Sequence, residues 1–399
     1  MSCLHIWRRA AVITLLTLGG AAPGWAQPAF EHLTTADGLA QSTVWEITQD
    51  RKGFIWMATA DGLARFDGHT FNVFRHQPGQ PGSLPTNDIA TLHADRHNTL
   101  WVAPRNGGLN RLRPERETFE HYPTTLQGEA IGQASITCFA EDPEHLWIGT
   151  SEHGLLGYEY RSNRVLRWPD ARLGHSVTAL LREGDWLWIG TGGGGFFRMH
   201  LQTGELTHIN VPFSTDVNER HRGISVIRRD RRGRYWVGTQ GQGLFRFEPK
   251  TGRVVSTFFK PGVYETVNII LDVTEDRAGN LWVMTDYGAL RYPGGEMTRP
   301  SVLLPDPENE KSLSTHALKK AFCDADGNLW IGTWQGGVNI LRARGEVFSA
   351  LRHQPFNPQS LPIAKAAPVV SDGQGGLWVG SNKGLTAISP DRKRFRQFT

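Results

Sequence analysis

A tryptophan preceded by an apolar or aromatic residue recurs eight times along this chain, at Trp56, Trp101, Trp147, Trp188, Trp236, Trp282, Trp330 and Trp378. The phrase around it is clearest in Leu146-Trp147-Ile148-Gly149-Thr150, and the spacings are 45, 46, 41, 48, 46, 48 and 48 residues. A fixed period of this size marks a repeat architecture whose units share one continuous core. It therefore overrides the length of 399 residues as a guide to domain number. With 45 Gly, 14 Trp and 19 Phe, the composition suits many short strands joined by tight turns.

Each unit divides into four strands. The first is a short, partly apolar run such as Val44-Trp45-Glu46-Ile47 or Ile224-Ser225-Val226-Ile227. An acid follows, six residues before the tryptophan, at Asp50, Asp95, Asp230, Asp276, Asp324 and Asp372, with Asp142 one place off. Gly then stands at 53, 233, 279, 327 and 375, with Asn98 in the second unit. Asp opening a turn and Gly or Asn at its positive-φ position is hairpin chemistry, so the acid is expected to cap a turn. The second strand carries the tryptophan, with Gly149 on the same face two residues on. Gly190, Gly238, Gly332 and Gly380 repeat it, Ala58 and Ala103 replace it, and Met284 breaks the rule. A small residue beside a large ring leaves room for a neighbouring sheet. A short loop leads to a third strand opening on Gly-Leu or its equivalents, often with Arg three residues later, at Arg65, Arg111, Arg198, Arg246 and Arg291. This arginine is expected to be structural. A looser fourth strand completes the unit.

Four antiparallel strands per period describe the blade of a β-propeller, so the expected class is all-β. Phe30-Glu31-His32-Leu33 has the pattern of a fourth strand with no unit before it. In a ring of seven it would complete the blade of Trp330, and residues 348–353 would play the same leading role for another ring beginning at Trp378. In a ring of eight it would lack a partner, or residues 395–399 would be redundant. Seven blades closed by the N-terminal strand plus an eighth repeat is the favoured reading, with an eight-bladed ring as the alternative. The corresponding domains are a signal peptide at 1–26, a seven-repeat propeller at 29–346 and the eighth repeat at 347–399.

The first 26 residues differ in kind. Arg8 and Arg9 precede an apolar run from Ala10 to Ala22, and Gly24 and Ala26 flank Trp25, the layout of a secretory signal peptide. The run is short for a membrane span, which needs roughly 20 apolar residues. Export to the periplasm is the expectation. Its removal takes away two Arg and no acid, leaving an excess of two positive charges, too weak and too evenly spread to argue for nucleic acid. Cys138 and Cys323 lie in the third and seventh units, too far apart in a closed ring to pair.

The phrases Asp-Gly-Leu-Ala (37–40), Asp-x-x-Gly-Phe-Ile-Trp-Met-Ala-Thr (50–59), Gly-Leu-Ala-Arg-Phe-Asp-Gly (62–68), Gly-Ser-Leu-Pro-Thr-Asn (82–87) and Asp-Ala-Asp-Gly-Asn-Leu-Trp-Ile-Gly-Thr (324–333) resemble the two-component regulator propeller repeat. The echo Gln-Ser-Leu-Pro stands at 359–362, and the resemblance covers about residues 29 to 399. It implies an exported array that senses an extracytoplasmic ligand, oligosaccharides being a reasonable class. In that family a small sandwich, a membrane helix and a kinase or cyclase normally follow. This sequence stops after its eighth unit. The expectation is a sensor module without its own output domain, partnered by a membrane-bound sensor kinase or diguanylate cyclase.

Catalytic and metal motifs are weak. Asp324, Asp326 and Asn328 imitate a calcium loop, but Leu329 stands where Gly is required and Gln335 where Glu is. Gly192 to Gly195 is followed by Phe196-Phe197-Arg198 rather than the Lys-Ser/Thr of a phosphate loop. The 15 His show no zinc spacing, and no Gly-x-Ser-x-Gly elbow occurs. No cofactor, metal or catalytic residue is assigned and no enzymatic activity is expected. A stand-alone carbohydrate-binding propeller, lyase or hydrolase is the alternative. Ligand-binding candidates are the variable loops between second and third strands, expected on the channel face: Asp61, Arg105, Asn106, Glu152, His153, Gln240, Gln242, Asp286, Tyr287, Trp334, Gln335 and Lys383. Trp334 could stack on a sugar, and Arg105 could pair with a carboxylate.

Overall fold

The structure, a computed structural model, describes residues 28–122, 125–126, 129–130, 134–168, 170–211, 213, 222–249, 251, 253–258, 268–297, 300–343, 358–362, 368–390, 392 and 394–398. Residues 1–26, expected to be a signal peptide, and the leading run at 348–353 lie outside the described residues. What is described is all-β, with eight four-stranded antiparallel sheets and a small two-stranded hairpin. The chain divides into two compact units, one ending at Ala343 and the other beginning at Arg344. Among the described residues no helix is long and apolar enough to cross a membrane.

Seven of the sheets belong to the first unit. In each, the chain meanders outward from an inner strand, as in sheet 1: Val44–Gln49, Ile55–Thr59, Gly62–Phe66 and Phe71–Phe74. The inner strands of sheets 2 to 7 are Ile89–Ala94, Ile136–Glu141, Val177–Glu183, Ile224–Arg229, Ile270–Glu275 and Leu318–Cys323. Each packs against the inner strand of the next sheet, and that of sheet 7 packs against that of sheet 1, so the cycle closes. The outer strand of sheet 7 is Glu31–Leu33, which pairs antiparallel with Val338–Leu341 in the register Glu31 with Ile340 and Leu33 with Val338. The N-terminal segment thus completes the sheet of Trp330.

The tryptophans explain why the sheets cohere. Trp147 of sheet 3 is buried with Leu187 and Ile189 of sheet 4, and Trp330 of sheet 7 with Ile55 and Met57 of sheet 1. The same arrangement fills every gap in the cycle. The neighbouring small residue lets the next inner strand in: a Cβ on Gly190 would stand 2.5 Å from Ile224 Cγ2, and one on Gly332 would stand 2.9 Å from the Val44 carbonyl. Met284, the exception, is fully buried beside Leu318 and Ala321.

The recurrent acid does more than cap a turn. Asp95 Oδ1 accepts the His97 and Thr99 amides, while Oδ2 accepts the indole Nε1–H of Trp101 at 2.8 Å. Asp50, Asp142, Asp230, Asp276 and Asp324 hold Trp56, Trp147, Trp236, Trp282 and Trp330 in the same way, at 2.7–3.0 Å. One carboxylate therefore fixes both the hairpin and the rotamer of the core ring. Sheet 4 differs: Trp188 Nε1 is buried without a partner. Three of the third-strand arginines lie over the same rings, Arg65 at 5.6 Å from Trp56, Arg111 at 5.9 Å from Trp101 and Arg291 at 5.5 Å from Trp282, whereas Arg198 lies over Trp186 at 4.5 Å. Arg65 also bridges to Glu117 of the next sheet at 3.2 Å.

The second unit contains the eighth sheet, Val369–Ser371, Leu377–Ser381, Gly384–Ile388 and Phe395–Phe398. Its own core joins Leu361, Val379 and Ile388, and Trp378 lies 5.6 Å from Phe398.

Candidate functional site

The inner strands do not run regularly into their hairpins. Each has a register shift after its first paired residue, between Val44 and Glu46, Ile89 and Thr91, and so on through Leu318 and Lys320. A bulge leaves one residue outside the ladder and re-aims its side chain. The seven residues so placed are Trp45, Ala90, Thr137, Thr178, Ser225, Leu271 and Lys319, and all of them line a cavity of about 770 Å³ bounded by the seven inner strands. Three carry hydroxyls, and these donate to the next inner strand: Thr137 to the Val177 carbonyl, Thr178 to Ile224 and Ser225 to Ile270.

The opposite side of the cavity is built differently. Lys319 lies over two indoles, 5.1 Å from the Trp334 ring and 5.8 Å from that of Trp45. The two rings meet edge to face at 5.1 Å and 83°. Arg105 stands over Trp45 at 5.3 Å and pairs with Asp88 at 2.9 Å. Trp334 is 43 % exposed although its amide is tied to the Ala317 carbonyl. The corner is assembled from sheets 7, 1 and 2. Burial lowers the Lys319 pKa below its ordinary value, partly offset by the charge of Asp286.

Next to the bulges runs a chain of charges. Lys320 Nζ lies 3.1 Å from Glu46 and 3.4 Å from Asp272, and Arg228 lies 3.5 Å from the other Asp272 oxygen. The chain links sheets 1, 7, 6 and 5. Burial raises the Glu46 pKa above 4.5, against the pull of Lys320 and with a smaller push from Asp272. Cys138, also on the cavity wall, has its thiol pushed up to about 12 by burial, which makes it a poor nucleophile.

None of the twelve residues expected from the sequence lines the cavity itself. Arg105 and Trp334 come together through Trp45, and Asp286 acts on Lys319. Tyr287 is stacked on His316 at 5.2 Å. Others are committed to local structure. Asp61 accepts from Asn87 and bridges Arg75, Asn106 accepts from Ser135 Oγ, and Glu152 accepts from the Ser135 amide. The His153 and Gln242 amides donate to threonine hydroxyls, Gln240 bridges to Ile269, and Gln335 holds a left-handed turn at φ 64°. Lys383 lies in the second unit, its amide donating to Ser381. Asp324, the first member of the calcium-like triplet, spends both oxygens on Asn328 and Trp330. The residues that sequence reasoning missed are Trp45, Lys319 and the charge chain. Aligning the repeats on their first strands would have exposed them, because the bulge column mixes Trp, Ala, Thr, Ser, Leu and Lys and the next column includes Glu46, Asp272 and Lys320.

Residues 313–335 match a family model described as Two component regulator propeller. At these residues the repeat is similar to that of the two-component regulator propeller family. A 55-residue stretch, 14% of the chain, is 47% identical to Histidine kinase P4 of Formosa agariphila, of which it spans 4%. The propeller fold is similar to that of the protein described as the extracellular domain of the hybrid two component system BT3049 from B. thetaiotaomicron. The TM-score is 0.67 at 23% identity, covering 93% of this chain and 49% of that one. The chain thus spans about half the length of that solved relative. A catalytically inactive virginiamycin B lyase from Staphylococcus aureus shares the fold more distantly, at TM-score 0.57 and 13% identity over 79% of this chain and 98% of that one.

Proposed function

We propose that this propeller is an exported ligand-sensing module of a two-component-type system. On this reading residues 1–26 direct export to the periplasm. The ligand is a small molecule or oligosaccharide, and occupancy is passed to a membrane-bound histidine kinase or diguanylate cyclase. The eighth sheet reads as the start of a second ring, because the first cycle is already closed by Glu31–Leu33.

The observation that carries the reading is the corner of Trp45, Trp334, Lys319 and Arg105 at the cavity. An exposed indole beside a half-buried one, flanked by cations and fixed on strands of a rigid ring, is what stacking on a sugar requires. The loop of Trp334 is pinned from both sides, by Ala317 and by the Gln335 amide on Thr43 Oγ1, so little ordering remains to be done on binding.

The test is a thermal-shift and tryptophan-fluorescence screen of the exported chain against an oligosaccharide library, followed by product analysis of every hit. The expected result is a stabilising glycan recovered unchanged, with the shift abolished in Trp45→Ala. Cleavage of the glycan would replace the sensor with a propeller lyase or hydrolase. Silence across the library would remove the carbohydrate ligand.

A further inference from the structure

Lys319 is anomalous in its own fold. It is half-buried, and among the described residues its ammonium makes no hydrogen bond or ion pair within the protein. It lies against the faces of Trp45 and Trp334, and Asp286 acts on it through charge without forming an ion pair. An ammonium has three donors and holds its hydration strongly, so removing water without a carboxylate or carbonyl in return is unfavourable. Cation–π contact recovers only part of that, on the order of 0.5–2 kcal/mol. The other bulge positions show that nothing in the repeat demands a lysine there: Ala90 and Leu271 occupy the same place in sheets 2 and 6. Nearby, Trp45 Nε1 is another buried donor without a partner. Arg105 already has Asp88, but its guanidinium covers Trp45 from a different loop. The corner therefore has donors and positive charge to spare beside an exposed aromatic face.

We infer that this corner is a subsite for an anionic sugar unit, with the carboxylate or sulfate taken by Lys319 and the C–H face of the ring lying on Trp334. The inference rests on the corner being the ligand site proposed above and names the class of ligand it selects. The geometry separates the two contributions. Trp334 offers stacking to any pyranose, whereas Lys319 distinguishes a charged ring from its neutral counterpart. Carboxylate and sulfate share the required chemistry, and Arg105 lies within the same cluster to favour either over an uncharged hydroxymethyl group.

The experiment is calorimetric titration of the exported chain with two matched pairs: oligogalacturonate and its methyl ester, and carrageenan oligosaccharide and its desulfated form. At least one charged member should bind about tenfold more tightly than its neutral partner, the first pair reporting on carboxylate and the second on sulfate. Lys319→Gln should abolish that ratio by weakening the charged member to the affinity of the neutral one. Trp334→Ala should weaken both members equally. Because Lys319 makes no bond in the fold, Lys319→Gln should melt with the wild type, and Lys319→Arg should retain charge discrimination. Equal affinity for charged and neutral members, or discrimination that survives Lys319→Gln, would overturn the anionic subsite while leaving the glycan sensor standing. No binding by either member of any pair, in a chain that also fails the neutral library, overturns both.

Discussion

The two arcs of the cavity wall are made from the same bulge and put it to different uses. Across sheets 3, 4 and 5 the bulge residue is Thr137, Thr178 or Ser225, and its hydroxyl ties one inner strand to the next. Across sheets 6, 7, 1 and 2 it is Leu271, Lys319, Trp45 or Ala90, and that tie is missing. Asp272, Lys320 and Glu46 lie one residue further along, and their ion pairs span two of the four seams that the hydroxyls leave open, sheet 6 to 7 and sheet 7 to 1, while Arg228 extends the chain to sheet 5. One arc is locked by its bulges. The other is held beside them, which frees the bulge side chains to face the cavity. A repeat protein can thus diverge at a single column of its sequence without weakening the ring, provided an adjacent column takes over the cohesion.

The largest test of that contrast is Lys320→Met. It leaves Glu46 and Asp272 facing each other on a buried wall without their shared cation. Breaking one partner out of a buried pair costs about 3–5 kcal/mol, and the lower end applies because these side chains keep some exposure, 17% for Lys320 and 18% for Glu46. Chemical denaturation should show the loss. If Lys320→Met unfolds like the wild type, the charges are not what holds the open arc.

A second, smaller effect is set by pH. The folded-state pKa of Glu46 lies above 4.5, so between that value and its folded one the native protein binds more protons than the unfolded chain. The stability this group contributes is fully present below 4.5 and is lost as pH rises through the folded value. Glu46→Gln should therefore flatten the stability profile in the window above 4.5. An unchanged slope would mean that Glu46 is not the titrating group. In the locked arc, Thr178→Val should cost about 1 kcal/mol by deleting one hydrogen bond to the Ile224 carbonyl. Unlike Trp45→Ala, it should leave glycan affinity unchanged. A loss of binding in Thr178→Val would erase the functional difference between the arcs.

Much of this ring was legible because its signals are local and periodic. The tryptophan period, the small residue beside each ring and the unpartnered run at Phe30 each follow from one unit compared with the next. They led to four-stranded sheets and to the pairing of Glu31–Leu33 with Val338–Leu341. The acid was legible only in part. Its Oδ1 serves the turn that sequence suggests, but its Oδ2 reaches the indole only because the hairpin folds the two back onto each other. The cavity was not legible from loops at all. Trp45 and Lys319 sit inside strands 274 positions apart in the chain and meet only when the cycle closes. Arg105 and Trp334 were identified individually, but the residue that joins them was not.

The smallest effect concerns the one seam of the locked arc whose clasp is incomplete. In sheet 3, Asp142 stands five residues before Trp147 and accepts its indole N–H at 2.7 Å while capping the turn through Oδ1. Sheet 4 places Glu183 at the same distance before Trp188, with the same short turn, since Glu183 pairs with Trp186. Yet Glu183 extends to Arg229 at 3.3 Å, and Trp188 Nε1 remains buried and unpartnered. One methylene separates the two outcomes. Glu183→Asp should withdraw the carboxylate from the half-exposed arginine, where an ion pair is worth little, and bring it to the indole, where an unmet donor costs about 1–3 kcal/mol. A net gain of roughly 0.5–1 kcal/mol is expected after the lost ion pair is discounted. It should come with a blue-shifted or quenched Trp188 contribution that Trp188→Phe removes. If Glu183→Asp is neutral or destabilising, the longer acid is not the reason the clasp is open.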